Sequence, residues 1–163
     1  MVYKPFDLSG KTALVTGGNG GIGLGMADAM AQAGANVCIW GTNADKNASA
    51  LEQLSAHGTE VAAMICDVSD EAQVEGRFAE TIERFGNLHG VFANAGVSGG
   101  REQVPFTEMT TERWRQIVGI NLDGTFFTFR AAARHMVEHG EDGRIVGTAS
   151  LAAISGAARN EHY

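Results

Sequence analysis

TGGNGGIG, from Thr16 to Gly23, is the stretch that decides the fold of this chain. It directly follows an apolar run at 13–15 and directly precedes a helix-like run at 26–30. Six glycines fall between positions 17 and 25, and glycine permits both a sharp turn and a close approach of the backbone to a ligand. A strand, a glycine-rich turn and a helix in this order aim the first free N–H groups of the helix at an anion. The segment therefore predicts a pyrophosphate site.

Composition narrows the class of protein. The chain has 163 residues and is 44% hydrophobic, which suits one domain with its own core over 1–163 and argues against disorder. No apolar segment is long enough to span a membrane, and residues 1–7 lack an apolar signal core, so we expect a cytoplasmic protein without a membrane partner. The net charge of -7, spread along the chain, argues against a nucleic-acid surface.

Strand and helix patterns alternate along the whole chain. Short apolar runs predict strands at 11–16, 36–40, 60–66, 88–93 and 143–149. Helices are predicted in the gaps, including one long helix over 108–138, and three glycines stand where helices should stop. The apolar stripes of these helices are Ile22, Met26 and Met30; Val74, Phe78, Ile82 and Phe85; and Trp114, Ile117, Val118, Asn121 and Phe126. The helix-ending glycines are Gly34, Gly58 and Gly86.

This alternation predicts an α/β fold, a doubly wound parallel sheet of Rossmann type with strand order 3-2-1-4-5. Ligands of such sheets bind outside the carboxyl ends of the strands, at the switch point between strands one and four. The residues that follow the predicted strands are small or polar. They are Gly17 to Gly23, then Gly41, Thr42 and Asn43, then Asp67 and Val68, then Asn94, Ala95 and Gly96, and finally Ser150.

Five motifs in this order resemble the short-chain dehydrogenase/reductase family in its ordinary cytosolic form. The turn has glycines at the family's three positions, Gly17, Gly21 and Gly23. An acid follows strand three, an N-A-G segment follows strand four, and an asparagine opens NLDGTFF in the long helix. The last motif is a serine 13 residues before a tyrosine, Ser150 and Tyr163. The resemblance covers the whole chain.

The resemblance implies an NAD(P)-dependent oxidoreductase that transfers a hydride between nicotinamide and an alcohol or carbonyl, for example a 3-oxoacyl compound, a polyol or a steroid-like ketone. It implies Asn121, Ser150 and Tyr163 as catalytic residues. It implies cofactor contacts from Gly17, Asn19, Gly20, Gly21, Ile22, Gly23, Thr42, Asn43, Asp67, Val68, Asn94, Ala95 and Gly96. A homo-oligomer, dimer or tetramer, is also implied, because the family's long helix packs against its copy.

The chain departs from the family at its end. The family motif is Y-x-x-x-K, in which the lysine lowers the pKa of the tyrosine, and this sequence stops at Tyr163. We therefore expect the last strands to be absent, strand five to be an exposed edge, and the chain as given to aggregate readily and to catalyse poorly. The alternative hypothesis is a dinucleotide-binding fragment or regulatory module without catalysis.

Each candidate site residue can also be explained by a purely structural role. Ser150 can form a local loop turn, with Ser155 a weaker competitor for the catalytic role, and Asn121 can be a satisfied core amide. Asp67 can cap the following helix, although Ser69 is the better predicted cap, and that choice leaves Asp67 for the adenine. Tyr163 can be a terminal aromatic without a role.

Cofactor choice and metal binding are weakly encoded. The end of strand two carries neither the acid typical of NAD binding nor the arginine typical of NADP binding, and Lys46 is a possible partner of a 2′-phosphate. NAD is slightly favoured. His135 and His139 have the spacing of metal ligands but no third partner, so no metal is expected. Cys38 and Cys66 are predicted to be buried thiols inside strands.

Overall fold

The computed structural model describes residues 6–98, 104–139, 142–156, 158–159 and 161–163. Strands in this part of the chain form one parallel sheet in the order β3-β2-β1-β4-β5, which confirms the predicted doubly wound α/β arrangement. The strands are β1 (Thr12–Thr16), β2 (Asn36–Gly41), β3 (Val61–Ile65), β4 (Gly90–Ala93) and β5 (Arg144–Gly147). The carboxyl ends of β1 and β4 are neighbours, so the predicted switch point lies between them.

Helices connect the strands, as the alternation predicted. They are α1 (Gly21–Gln32), α2 (Ala44–Ser55), α3 (Glu71–Phe85), α4 (Thr111–Val118), α5 (Gly124–His139) and α6 (Ala152–Ser155). Gly34, Gly58 and Gly86 follow the ends of α1, α2 and α3 with φ of +97°, +76° and +79°, which confirms them as helix-ending residues.

The long helix predicted over 108–138 forms with continuous helical backbone, but it begins at Thr111 and contains one π-helical turn. A short 3₁₀ turn at Phe106–Glu108 precedes α4, and a π-helical turn at Gly119–Asp123 separates α4 from α5. The Thr110 side chain accepts a hydrogen bond from the Arg113 N–H, 3.2 Å away, and caps α4. The π turn widens the helix locally, a change that apolar periodicity does not reveal.

The sheet is buried on both faces, as parallel sheets are. One face carries the core residues Leu14, Cys38, Trp40, Ala62 and Val91, which pack with α3 and α5 residues Val74, Phe78, Ala131 and Ala132. The other face carries Val15, Val37 and Ile39, which pack with α1 and α2 residues Ala27, Ala31, Ala50 and Leu54.

The thiols of Cys38 and Cys66 are buried and form no disulfide, and burial raises the pKa of Cys38 to about 11 and that of Cys66 to about 12. Cys66 lies just past β3 rather than inside it.

Helix α1 buries a different face from the predicted one. The stripe of Ile22, Met26 and Met30 is wrong at Ile22, which is 69% exposed, whereas Met30 is partly buried and packs against the core. The buried residues of the helix are Gly23, Ala27 and Ala31. Small side chains occupy the buried positions of α1 because they allow the helix to approach the sheet closely.

The stripe of α3 is confirmed, with Val74 and Phe78 buried. In the α4–α5 segment Ile117 is buried, but Trp114 and Phe126 are exposed. These two aromatics were predicted to lie in the core or at a subunit interface, and they are not in the core of the described chain. No helix among the described residues combines the length and the apolar character needed to cross a membrane.

Candidate functional site

A cleft of about 790 Å³ opens at the carboxyl ends of β1, β4 and β5. Its lining contains the glycine turn after β1 and the Asn94–Gly96 segment after β4. It also contains Asn121, Ser150 and Tyr163. The fold thus brings the three predicted catalytic residues to the same cleft as the predicted phosphate turn.

A second cavity of about 370 Å³ lies on the β2–β3 side and shares Gly17 and Asn19 with the first. Thr42, Asp67 and Val68, three of the residues predicted to contact the cofactor, line it. Every predicted cofactor residue lines one of the two cavities except Asn43. The Asn43 side chain instead accepts a hydrogen bond from the Lys46 N–H at 2.9 Å and caps α2.

The glycines of the turn divide into two kinds. Gly17 has φ of +63°, and a Cβ there would lie 3.0 Å from Ala95 Cα. A Cβ on Gly23 would lie only 2.3 Å from the Gly17 carbonyl oxygen, so these two positions are closely packed. Gly20 and Gly21, in contrast, face open space, and no side chain caps the N-terminus of α1. The first N–H groups of α1 are therefore open to an anion.

A polar cluster joins the ends of β1, β4 and β5. The buried Thr16 Oγ1 accepts hydrogen bonds from the N–H groups of Asn94 and Ala95 at 3.0 and 2.9 Å. The Asn94 amide donates to the Thr16 carbonyl oxygen at 3.2 Å, and its oxygen accepts from Thr148 Oγ1 at 3.1 Å. Sequence analysis missed Thr16 and Thr148, although a threonine that ends an apolar strand beside a glycine turn was a usable signal.

Asn121 holds the loop after β4. Its Oδ1 accepts from the Val97 N–H at 2.8 Å, and its Nδ2 donates to the Val97 carbonyl oxygen at 2.9 Å. The residue lies in the π turn, a distortion that often occurs at functional sites. Its amide is thus satisfied by backbone groups at the wall of the cleft.

Ser150 forms the predicted local turn and also lines the cleft. Its Oγ accepts a hydrogen bond from the Ala152 N–H at 3.2 Å, which makes the local turn, and the hydroxyl proton remains able to donate into the cleft. Ser155 donates to the Leu151 carbonyl oxygen at 3.1 Å and does not line the cleft. Tyr163 is 47% exposed at the cleft. Geometry therefore favours Ser150 over Ser155.

The predicted cap of α3 is wrong. Asp70, not Ser69, is the N-cap, because its Oδ1 accepts from the N–H groups of Ala72 and Gln73 at 2.9 and 3.2 Å. The Gln73 side chain also donates to Asp70 Oδ2 at 3.0 Å. This hydrogen bond first, and the backbone bonds after it, lower the pKa of Asp70. Asp67 Oδ1 accepts from the N–H and the hydroxyl of Ser69 at 3.0 and 2.7 Å. Asp67 therefore does not cap α3, and it lines the second cavity.

Few charges lie at the site. Among the described residues that line the two cavities, Lys46 is the one cation and Asp67 the one carboxylate. His135 and His139 lie apart from both cavities: the Leu88 N–H donates to His135 Nε2 at 3.2 Å, and His139 Nδ1 contacts the His135 carbonyl oxygen at 3.0 Å. The described residues contain no group of three or more potential metal ligands.

Comparison with known proteins gives the family. The protein-family model described as short chain dehydrogenase matches residues 11–163 of this chain. A 2,5-dichloro-2,5-cyclohexadiene-1,4-diol dehydrogenase of Sphingobium indicum is 39% identical over 158 residues, which cover 96% of this chain and 61% of that protein. The NADP-dependent (R)-specific alcohol dehydrogenase of Lentilactobacillus kefiri is 37% identical over 150 residues, 91% of this chain and 58% of that enzyme.

A solved structure agrees with these relatives. The crystal structure of NAD+-bound xylitol dehydrogenase matches with a TM-score of 0.90 at 31% identity, over 96% of this chain and 59% of that one. The chain belongs to the short-chain dehydrogenase/reductase family, and it spans about three-fifths of the length of the curated relatives that it matches.

Proposed function

We propose that the protein is an NAD(P)-dependent oxidoreductase that transfers a hydride between nicotinamide and an alcohol or carbonyl substrate. The observation that carries the proposal is the shared cleft, in which the open glycine turn and the residues Asn121, Ser150 and Tyr163 line one space. A dinucleotide held at the turn would bring its reactive ring to the hydroxyl groups of Ser150 and Tyr163. We further propose that residues 1–163 form one dinucleotide-binding unit.

The turn suits a dinucleotide. A Cβ at Gly20 or Gly21 would meet no atom within 4 Å, so this wall of the cleft leaves space for a ligand, and the uncapped N-terminus of α1 supplies donors for its pyrophosphate. The second cavity, with Thr42, Asp67 and Val68, would hold the adenosine. When bound, the cofactor supplies the hydride chemistry, and the protein supplies orientation and one proton.

The side chains of the cleft have separable roles in this proposal. The Tyr163 phenol exchanges a proton with the substrate oxygen, as a general acid or base. The Ser150 hydroxyl donates a hydrogen bond to the same oxygen and orients it. Asn121 fixes the Val97 backbone at the wall of the cleft through its two hydrogen bonds and is the third catalytic candidate.

Support for a substrate class comes from the relatives, which include a 2,5-dichloro-2,5-cyclohexadiene-1,4-diol dehydrogenase, an (R)-specific alcohol dehydrogenase and a xylitol dehydrogenase. We propose a carbinol or ketone of this general kind. A cytoplasmic homo-oligomer, dimer or tetramer, is part of the proposal. Its support is an exposed apolar stripe on the outer side of the π turn and α5, formed by Leu122, Phe126 and Val137.

The test is a hydride-transfer assay of the protein with NAD+ or NADP+ and a panel of secondary alcohols, read from the absorbance of the reduced cofactor. Tyr163→Phe removes the phenolic hydroxyl that exchanges the proton and keeps the ring, and it should lower kcat by about 10²–10⁴-fold, the usual contribution of general acid–base catalysis. Dinucleotide affinity and the unfolding midpoint should stay unchanged. Full activity of Tyr163→Phe would contradict the assigned role, and a protein that binds dinucleotide but turns over no alcohol would favour the non-catalytic dinucleotide-binding module over the oxidoreductase.

A further inference from the structure

A buried amide pair lies behind the glycine turn. Asn47 is 5% exposed, and its Nδ2 donates to two carbonyl oxygens, those of Gly41 at the end of β2 and Met64 in β3, each at 3.1 Å. Both N–H bonds of the amide are therefore used, and the oxygen of Asn47 must point the other way. Two carbonyl acceptors fix which end of this side chain is nitrogen.

The orientation of Asn47 determines that of Asn19. The remaining Asn47 Oδ1 can only accept, and the atom 2.6 Å from it is Asn19 Nδ2, so Asn19 must donate with its nitrogen. Its own Oδ1 is left as an acceptor without a partner among the described residues. Because Asn19 lines both cavities, this acceptor belongs to the ligand site.

Gly41 makes room for the pair. A Cβ at this position would lie 2.2 Å from Asn19 Nδ2 and 2.7 Å from Asn47 Oδ1, so a larger residue would collide with both amides. In dinucleotide-binding folds an acid at the end of the second strand accepts a hydrogen bond from the ribose 2′-hydroxyl. Here that end is occupied by Gly41, Thr42 and Asn43, and the Asn19 amide lies against it.

We propose that Asn19, oriented by Asn47, replaces the missing acid and accepts the hydrogen bond of a ribose hydroxyl. The site then favours NAD over NADP, because a 2′-phosphate presents only acceptor oxygens and negative charge to the Asn19 oxygen. Asn47 is a positioning residue in this arrangement. The inference rests on the proposed function, since it concerns the cofactor of that same site.

Lys46 makes the opposite prediction, which sharpens the test. It is the one cation among the described residues of the two linings, and a lysine near the ribose would attract a 2′-phosphate. The Asn19 oxygen would therefore favour NAD, whereas the Lys46 ammonium would favour NADP. Lys11, which lines a separate cavity of about 290 Å³ at the amino ends of the strands, offers a matched control.

The experiment measures the Kd of NAD+ and of NADP+ by calorimetry for the protein and four variants: Asn19→Ala, Asn47→Leu, Lys46→Gln and Lys11→Gln. We expect the wild type to bind NAD+ more tightly. Asn19→Ala leaves both Asn47–carbonyl bonds in place and should weaken NAD+ binding by about tenfold, the loss of one hydrogen bond, with little effect on NADP+. Asn47→Leu should reduce the same preference, and Lys46→Gln and Lys11→Gln should leave NAD+ still favoured.

The ratio of the two affinities is the decisive readout, because a merely structural defect would weaken both dinucleotides equally. An unchanged ratio in Asn19→Ala overturns the proposal even if Asn47→Leu fails to fold. Tighter binding of NADP+ to the wild type, lost in Lys46→Gln but kept in Lys11→Gln, overturns it in favour of Lys46. Failure of the wild type to bind either dinucleotide overturns the proposed function itself.

Discussion

The two halves of the cleft are built differently. On the glycine-turn side all five residues of β1 are buried, and five of the six residues of β2 are buried as well. On the other side β5 is an edge strand of the described sheet, with Ile145 half-buried and its other residues exposed. The half proposed to bind the cofactor, called the cofactor half below, is therefore part of the core, whereas the half proposed to carry the chemistry, the catalytic half, lies at the edge of the sheet.

The difference teaches where a substitution should act. Close-packed backbone holds the turn, since Gly17 and Gly23 leave no room for a Cβ. On the β5 side a polar contact, Thr148 to Asn94 at 3.1 Å, links the segment before Ser150 to β4. Changes in the first half should alter stability and binding together, and changes in the second should alter chemistry alone.

The largest expected effect tests the catalytic half. Ser150→Ala removes the hydroxyl proposed to orient the substrate oxygen, and kcat should fall by about 10²–10³-fold, the usual cost of losing one such donor. The free energy of unfolding, measured by urea denaturation, should not change, because Ser150 lies at the edge of the fold.

Ser155→Ala is the matched control, since this exposed serine lies outside the cleft lining. It should keep full activity. Equal losses in the two variants, or a drop in stability with Ser150→Ala, would break the distinction between the halves.

The next effect tests the cofactor half. Gly23→Ala places a Cβ 2.3 Å from the Gly17 carbonyl oxygen and 2.5 Å from Asn94 Nδ2, so the turn and the helix must separate. The free energy of unfolding should fall by about 1–3 kcal/mol, as for other overpacked positions, and dinucleotide affinity should fall with it.

Gly25→Ala is the control in the same helix, because a Cβ there meets nothing within 4 Å. It should raise stability by up to about 1 kcal/mol through helix propensity alone. A Gly23→Ala variant as stable as Gly25→Ala would show that the turn is looser than its contacts indicate.

The smallest expected effect concerns pH. Hydrogen bonds from His57 first and Gln53 second lower the pKa of Asp28, which ties α1 to the end of α2. A carboxylate whose folded pKa is lowered contributes stability that is fully present above its unfolded pKa of about 3.9 and is lost as pH falls through the lowered value. If the unfolding midpoint is measured as a function of pH, its decrease at acidic pH should therefore be smaller in Asp28→Asn than in the wild type.

His57→Leu should also make this decrease smaller, because it removes the same contact at 2.9 Å. The effect should shrink at high salt, since Asp28 is partly exposed. A decrease at acidic pH identical to that of the wild type in both variants would mean that this contact does not contribute to stability.

The main elements were predictable from local patterns, whereas the catalytic candidates Asn121, Ser150 and Tyr163 came from the resemblance to the family and remain a prediction. Strand positions, the glycine turn and the order 3-2-1-4-5 followed from apolar runs and from the rules of parallel sheets. The errors have different causes: the α3 cap was misplaced by one residue, Asp70 for Ser69, in a choice between neighbouring side chains, whereas the α1 stripe failed because tertiary packing overrode a local pattern. Small residues occupy the buried face of α1 because the helix lies close to the sheet, and the π turn changes the local period inside the predicted long helix.

The order of small, polar and apolar residues was sufficient to specify the sheet, its switch point and the types of residue that surround it. Which side chains hold one another there depends on the folded chain, because the partners are far apart in sequence. Asn19 meets Asn47 across 28 positions, and Thr16 meets Asn94 across 78. A buried amide must find its donors and acceptors in whatever elements pack around it, and packing brings those elements together only after the chain has folded.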